Sequence, residues 1–158
     1  MEEYFKDFDN WNIEKKNVDK KSINRNLYFH TKEIWWCSTG VNIGSEVDGK
    51  NNNFERPFLI IKKFNNAMLW GIPLTTKNKE DKNHYRLSKN KYNNSIAVLS
   101  QLKIISSKRL LRKIGLISEE DFNNILNAII NILKVESPLS GAFSEAEATS
   151  NLIIDQEK

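Results

Sequence analysis

The residues best suited to chemistry in this sequence follow a long loop that is punctuated by glycines. Residues 40–50 contain three glycines, and such a loop can wrap around a ligand. Arg56 comes next and directly precedes Pro57, which holds the residue before it in extended backbone. We therefore expect the Arg56 guanidinium to project from a rigid strand entrance, where its planar fork can donate two hydrogen bonds to a phosphate.

A second set of polar residues closes the run Ile72–Lys77. Thr75 and Thr76 supply hydroxyls and Lys77 supplies a cation at the end of a predicted strand. Together with Arg56 they suit the binding of a phosphate group. The same side chains also suit a structural salt bridge for Arg56 and a strand-end cap at Thr75, and residue types alone favour this second interpretation.

Other catalytic signatures are missing from the sequence. It has no glycine-rich phosphate loop, no His-Glu-x-x-His, no Gly-x-Ser-x-Gly and no carboxylates at metal-binding spacing, which argues against a metalloenzyme or a nucleotide hydrolase. His30 and His84 each adjoin an aromatic residue, a position more typical of packing than of acid–base catalysis. Cys37 follows two tryptophans in a predicted strand, so we interpret it as a buried, unreactive thiol.

The positive charge of the chain is concentrated in its first 135 residues. The formal net charge is +4, to which residues 1–135 contribute +8 and residues 136–158 contribute −4. A basic body favours an anionic partner such as nucleic acid, although a solvated lysine surface explains the same excess. Only five of the 24 basic residues are arginine, so each raises the question of what its guanidinium does that an ammonium cannot.

Length and composition indicate one folded domain. The chain has 158 residues, 39% of them hydrophobic, which is enough for one core and too little for two large domains. A single cysteine excludes an internal disulfide and multi-cysteine zinc sites. The first residues lack a signal-peptide pattern and no apolar stretch approaches about 18 residues, so we expect a cytoplasmic protein with no contact to a membrane.

Hydrophobic periodicity places the polar residues on a small β-rich domain. Tyr4, Phe8 and Trp11 form a stripe that predicts an amphipathic helix over residues 4–21. Short β-branched and aromatic runs then predict strands at Glu33–Cys37, Pro57–Phe64, Ala67–Pro73, His84–Leu87 and Ile96–Ile105. This spacing is typical of a small, strongly bent sheet or barrel.

The connections and the C-terminal part complete the prediction. Asn65-Asn66 predicts a tight hairpin turn between antiparallel strands. Residues 107–112 predict one short helical turn, after which Gly115 resets the chain. Ser118 is the expected N-cap of a helix that ends near Lys134. Its predicted apolar face consists of Phe122, Ile125, Leu126, Ile129, Ile132 and Leu133. A flexible acidic tail is expected over residues 136–158.

Six ordered motifs carry a resemblance to a known family. They are Glu33–Trp36; Asn42–Glu46 followed by Gly49-Lys50; Arg56-Pro57 with Leu59–Ile61; Pro73–Thr75; Leu99–Leu102; and Ser107–Leu110 with Lys113–Gly115. Over about residues 32–134 the sequence resembles the MazF/PemK toxins of type II toxin-antitoxin systems. The resemblance implies a mainly β fold with helices (α+β), built as a small SH3-like or CcdB-like barrel with a C-terminal helix. The chain then divides into an N-terminal helical extension (1–28), the barrel domain (29–135) and the tail (136–158).

The resemblance also implies an activity and partners. It implies a homodimeric endoribonuclease that cleaves single-stranded RNA such as mRNA by attack of the ribose 2′-hydroxyl, with no metal and no other cofactor. A cognate antitoxin is the implied protein partner, because its flexible segment blocks the RNA groove. The alternative is a non-catalytic module that binds nucleic acid or protein on the same barrel, as the gyrase poison CcdB does.

Site residues follow from the resemblance position by position. The family's arginine falls on Arg56 and its threonine on Thr75, with Glu46 as the first expected general base and His84 as the second. The expected substrate-binding residues are Ser45, Lys50, Thr76, Lys77, Gln101 and Lys103. Three departures accompany this match: Asn51–Phe54 lengthens the loop before Arg56, position 103 holds a lysine where many relatives have an arginine, and the first 28 and last 24 residues are additions.

Overall fold

The structure is a computed structural model that describes residues 5–24, 27–79, 81–88 and 95–134. In these ranges the protein consists of one antiparallel sheet with seven strands, and of two α-helices. The strands are β1 (Glu33–Ser38), β2 (Glu55–Lys63), β3 (Met68–Thr75), β4 (His84–Arg86), β5 (Ile96–Val98), β6 (Lys103–Ser106) and β7 (Leu110–Leu116), and the helices are α1 (Phe8–Lys20) and α2 (Glu119–Leu133). The predicted α+β class is confirmed. Tyr4 and the predicted acidic tail lie outside the described residues.

The strands follow the order β4-β5-β3-β2-β1-β7, and β6 also pairs with β3. The first half of β3 pairs with β6, whereas Leu74 and Thr75 at its end pair with β5. This change of neighbour bends the sheet. Among the described strands the path ends at β4 and β7, so the sheet is barrel-like without being a closed barrel.

Alternation along the central strands divides the core between the two faces of the sheet. Leu59 and Ile61 of β2 join the cluster that packs against α2, whereas Phe58 and Ile60 join a second cluster with Trp35. Successive side chains of a strand point to opposite faces, so a strand buried on both sides supplies both clusters. The turn at Asn65-Asn66 connects β2 to an antiparallel β3, as predicted.

Two predictions, one of a strand and one of a helical turn, need correction. The run Ile96–Ile105 is broken by a 3-10 turn at Leu99–Gln101, because β5 and β6 pair with different parts of β3. The predicted helical turn at 107–112 is helical only over Ser107–Arg109, after which β7 pairs with β1 and continues through Gly115. Two register shifts and exposed outward side chains leave β7 without the regular alternation that identifies a strand.

Helix α1 is shorter than predicted and docks through different residues. Asp7 caps it by accepting a hydrogen bond from the Asn10 amide at 3.1 Å. Trp11 is buried with Val18, whereas Phe8, expected on the same stripe, is 47% exposed. The Trp11 ring lies against Gly40, where an added Cβ would come within 2.1 Å of it. Trp11 therefore fixes α1 beside the loop that follows β1.

Helix α2 matches its predicted start and end. The Ser118 hydroxyl accepts a hydrogen bond from the Asp121 amide at 3.1 Å, as expected of an N-cap. Phe122, Ile125 and Ile129 are buried as predicted. Ile132 and Leu133 are exposed instead, because the helix contacts with the core end at Ile129. Neither described helix has the length and apolar character needed to span a bilayer.

Candidate functional site

A groove of about 1130 Å³ lies where β2 begins and β3 ends. Its walls come from the first half of α1 and the residues before it, the loop that follows β1, the start of β2, the end of β3 with the segment after it, β4 and the turn after β5. Of the expected site residues it brings together Ser45, Lys50, Arg56, Thr75, Lys77, His84 and Gln101. The groove therefore brings together expected site residues as far apart in the sequence as Ser45 and Gln101, which are separated by 56 positions.

Arg56 and Thr75 lie near the ends of the neighbouring strands β2 and β3. The pairing of these strands ends at Phe58–Pro73, and each of the two polar residues lies two positions beyond that pair and lines the groove. Arg56 Nε donates to the carbonyl oxygen of Asp48 at 2.5 Å, and Nη1 donates to that of Leu74 at 3.2 Å. These two main-chain oxygens help to orient the guanidinium toward the groove.

Thr75 is partly buried at the end of β3. Its hydroxyl oxygen accepts a hydrogen bond from the Lys77 amide at 3.2 Å, which is the strand-end cap expected from residue types alone. That bond uses a lone pair and leaves the hydroxyl proton to donate to an anionic ligand. The capping interaction and a phosphate-binding role are therefore compatible.

Gln101 and Lys6 hold the loop that forms one wall of the groove. The Gln101 side chain accepts from the Val47 amide at 2.8 Å and donates to the Ser45 carbonyl at 2.9 Å. From the other side, Lys6 Nζ donates to the Asn42 carbonyl at 2.7 Å. Both ends of the Gln101 amide are engaged by the loop, so this side chain positions the loop.

Glu46, Thr76 and Lys103 do not line this groove. Glu46 is exposed on the loop, and Thr76 lines a smaller neighbouring cavity. Lys103 is partly buried, with its ammonium 5.9 Å from the Phe58 ring centroid. Burial lowers the pKa of Lys103, while the nearby charge of Glu46 acts in the opposite direction. Of the ten expected residues, counting His84, three thus lie outside the groove.

The two histidines occupy different surroundings. His84 lines the groove with its side chain 9% exposed, and its Nδ1 lies 2.7 Å from Asp81 Oδ1. That hydrogen bond lowers the pKa of Asp81. His30 is 68% exposed in its side chain and lies 3.4 Å from Glu33, outside the groove. Cys37 is buried as predicted, and burial raises the pKa of its thiol, which keeps it protonated and unreactive.

Asp48 and helix α1 are the parts of the site that sequence reasoning missed. Asp48 acts through its main-chain oxygen, which no side-chain pattern reveals. Asn10 and Glu14 of α1 line the groove, and their spacing of four residues places them on one helix face. The spacing of Asn10 and Glu14 predicts a polar helix face, but it does not indicate which part of the protein that face lies against. Among the described residues, no group of three or more His, Cys, Asp and Glu side chains is arranged to hold a metal ion.

Comparison with solved structures shows the same fold. MazF from Deinococcus radiodurans superposes with a TM-score of 0.59 at 13% identity, covering 68% of this chain and 98% of that one. An endoribonuclease in complex with its cognate antitoxin from a mycobacterial species gives 0.54 at 14% identity, covering 70% and 100%. An endoribonuclease from a mycobacterial species gives 0.54 at 12% identity, covering 72% and 100%.

The sequence itself places the chain in a family. Among curated protein sequences none matches it. The family model described as the PemK-like, MazF-like toxin of a type II toxin-antitoxin system matches residues 30–133, which include all seven strands and α2. Helix α1 precedes the matched range. Because the match spans well over half of the sequence, the chain belongs to the PemK-like, MazF-like toxin family.

Proposed function

We propose that this protein is an endoribonuclease toxin that cleaves single-stranded RNA at the Arg56–Thr75 pair without a metal ion. The observation that carries the proposal is that Arg56 and Thr75, at the ends of adjacent strands, line one groove together with Lys50, Lys77 and Lys79. A cationic fork and a hydroxyl on adjacent strands match the oxygens of a phosphodiester. Membership of the toxin family and the fold shared with endoribonucleases support this assignment.

The reaction proposed is an in-line displacement on phosphorus. The 2′-oxygen forms a bond to the adjacent phosphorus while the bond to the 5′-oxygen breaks, leaving a 2′,3′-cyclic phosphate and a 5′-hydroxyl. The nucleophile already belongs to the substrate, so the protein contributes alignment and charge stabilisation. Arg56 donates to nonbridging oxygens, and the Thr75 hydroxyl fixes the phosphate. The 2′-hydroxyl also explains a preference for RNA over DNA.

His84 is better placed than Glu46 to act as the general base. Its imidazole lines the groove, whereas Glu46 is exposed outside it. When Nδ1 donates its proton to Asp81, Nε2 carries the lone pair that can accept the 2′-hydroxyl proton. The leaving 5′-oxygen takes a proton from solvent. In this proposal Glu46 acts on the charge of Lys103.

The partners proposed are an antitoxin and a second copy of the chain. A basic groove suits the acidic segment of an antitoxin, and the fold is shared with a mycobacterial endoribonuclease bound to its cognate antitoxin. A homodimer draws support from the exposed apolar side chains of Phe64, Met68, Trp70 and Ile104 near the β3–β6 edge, where Trp70 pairs with Ile104. In β1, by contrast, Ile34 and Trp35 are buried and Trp36 is only partly exposed.

Incubation with a mixed RNA pool in EDTA tests the proposed function. Sequencing of the new ends should reveal discrete cuts with 2′,3′-cyclic phosphate termini in single-stranded regions. RNA that is bound but remains intact at long incubation would instead support the non-catalytic binding module. A requirement for added divalent metal would overturn the metal-independent mechanism.

A further inference from the structure

A second, smaller cavity of about 170 Å³ adjoins the groove. It shares Lys50, Asn51, Arg56 and Thr75 with the groove and is otherwise lined by groups that include Trp36. A phosphate held between Arg56 and Thr75 would therefore have a polar groove on one side and an aromatic cavity on the other. The volume is suited to one planar heterocycle and too small for a further stretch of chain.

The indole of Trp36 is held firmly in place. Trp36 pairs with Pro57 on one side and with Arg112 on the other. The Arg112 guanidinium carbon lies 4.9 Å from the Trp36 ring centroid, and its two terminal nitrogens donate to the buried Glu55 carboxylate at 2.7 and 2.8 Å. A guanidinium covers part of the ring, while Trp36 remains partly exposed and lines the cavity. Preorganised aromatic surfaces of this kind bind nucleobases by stacking.

The lengthened loop places polar groups at the entrance of the cavity. Lys50 and Glu55 exchange main-chain hydrogen bonds at 2.8 and 3.0 Å, which closes residues 51–54 into a tight turn. Asn51 adopts φ 61°, a left-handed conformation that Asn tolerates. Within the described ranges the Asn51 amide makes no side-chain hydrogen bond, so both its donor and its acceptor are able to bind a ligand.

We propose that this cavity is a nucleobase subsite, in which the base next to the scissile phosphate stacks on Trp36 and Lys50 and Asn51 hydrogen-bond to its edge. This proposal rests on the proposed function. It adds recognition of a nucleobase, because the phosphate site alone cannot distinguish one RNA sequence from another. Phosphate contacts are the same for every sequence, whereas base edges differ. The loop before Arg56 thereby becomes a determinant of the cleavage sequence.

Binding of an uncleavable RNA tests the subsite. The probe is a single-stranded oligonucleotide that spans a cleaved site and carries 2′-O-methyl groups throughout, with a series in which each base in turn is replaced by an abasic residue. For the native protein, one abasic position beside the cleaved phosphate should raise the dissociation constant about 10-fold. Trp36→Leu should weaken binding of the intact oligonucleotide about 10-fold and make that abasic replacement nearly neutral.

Three further variants separate stacking from folding and from edge recognition. Trp36→Phe keeps an aromatic ring and should retain most of the affinity, whereas Tyr28→Leu, which alters an exposed aromatic side chain outside both cavities, should bind like the native protein. Asn51→Gly preserves the left-handed backbone while removing the amide, and should broaden the base preference at that one position.

The outcomes distinguish the subsite from the proposed function. If the native protein cleaves RNA but Trp36→Leu binds the intact oligonucleotide as tightly as the native protein does, the subsite is wrong and the proposed function stands. The same conclusion follows if the abasic penalty is unchanged in Trp36→Leu. Failure of the native protein to bind any RNA overturns both.

Discussion

The arginines of this chain differ in what holds their guanidinium groups. Arg112 forms a bidentate pair with the buried Glu55 carboxylate, and Arg109 donates to the Ser38 carbonyl at 2.8 Å beside the Trp11 ring. The Arg112 hydrogen bond holds the pKa of Glu55 below its ordinary value. Arg56 donates to the main-chain oxygens of Asp48 and Leu74. Since Arg109 also donates to a main-chain oxygen, the distinguishing feature of Arg56 is its location in the groove, which the sequence does not show.

Replacement of Arg56 or of Thr75 should remove most of the cleavage activity. Arg56→Ala and Thr75→Ala should each lower the cleavage rate about 100- to 1000-fold, because each removes a donor to the charge that develops on phosphorus. Arg56→Lys should also cleave poorly, since an ammonium lacks the bidentate fork. Arg86→Ala is a matched control, because Arg86 is exposed, donates to Asn78 and lies outside the groove. Cleavage by Arg56→Ala within threefold of the native rate would place the active site elsewhere.

At the scale of the elements, Asp121 joins helix α2 to the segment after β4. Its carboxylate accepts from the Ser88 hydroxyl at 2.6 Å, the Ser118 hydroxyl at 3.0 Å and the Tyr85 hydroxyl at 3.0 Å. Burial alone would raise the pKa of Asp121, but these hydrogen bonds outweigh it and hold the pKa below its ordinary value. The folded state therefore favours the ionised carboxylate.

Asp121 should make stability depend on pH in the acid range. Because its pKa is lowered on folding, its contribution is present above about pH 4 and is lost as pH falls through the folded-state pKa. Asp121→Asn should lower the free energy of unfolding at pH 7 by about 1–3 kcal/mol and flatten the acid dependence below about pH 4. Urea unfolding across pH measures both. Asp19→Asn, at a carboxylate 89% exposed in its side chain, should leave the profile nearly unchanged, and an Asp121→Asn profile parallel to the native one would contradict the assignment.

The docking of α1 on Gly40 can be tested with a matched pair of glycines. Gly40 and Gly44 both have positive φ, but an added Cβ meets the Trp11 ring at Gly40 and open space at Gly44. Gly44→Ala should cost about 1 kcal/mol of backbone strain, and Gly40→Ala about 1–3 kcal/mol more because Trp11 must move. In a Trp11→Ala background the difference should vanish. Equal costs in the native background would show that α1 does not dock there.

Local signals predicted some elements well and others badly. Ser118 with its acidic first turn specifies the start of α2 within a few residues, so a sequence pattern suffices there. Strand β7 was missed because it is formed by pairing with β1 across two register shifts, which is a long-range interaction. The proximity of Arg56 and Thr75 likewise depends on the long-range pairing of β2 with β3, and the sequence indicated it only through residue types and the family resemblance. Helix α1 precedes the residues that match the family model, so the resemblance could not predict that α1 lines the groove.

Across the whole molecule, the cations of the groove are concentrated on one side. Lys50, Arg56, Lys77 and Lys79 lie on the strand and loop side, where the Asp48 carboxylate is paired with Lys6, whereas Asp7 and Glu14 lie on the α1 side. A phosphate chain should therefore follow the cationic side. Cations bound to single-stranded RNA release counterions, at a slope of about −0.7 per phosphate in a plot of log affinity against log salt.

Salt dependence should report how many groove cations contact RNA. With four cations engaged, the slope for single-stranded RNA should be about −3, and Lys77→Ala should reduce its magnitude by about 0.7. Lys62→Ala, at an exposed β2 position outside the groove, should leave the slope unchanged. Affinity measured by fluorescence anisotropy at several salt concentrations supplies the slopes. If Lys62→Ala and Lys77→Ala reduce the slope equally, RNA is not confined to the groove.

Attack by the 2′-hydroxyl at the Arg56–Thr75 site can be tested by removing one hydroxyl from the substrate. Two oligonucleotides contain the same cleaved site: the first is RNA throughout, and the second has hydrogen in place of the 2′-hydroxyl at the nucleotide 5′ to the cut. The native protein in EDTA should cleave the first to a 2′,3′-cyclic phosphate and leave the second intact at that position while binding both. Cleavage of the 2′-deoxy oligonucleotide at the same phosphate would contradict the mechanism.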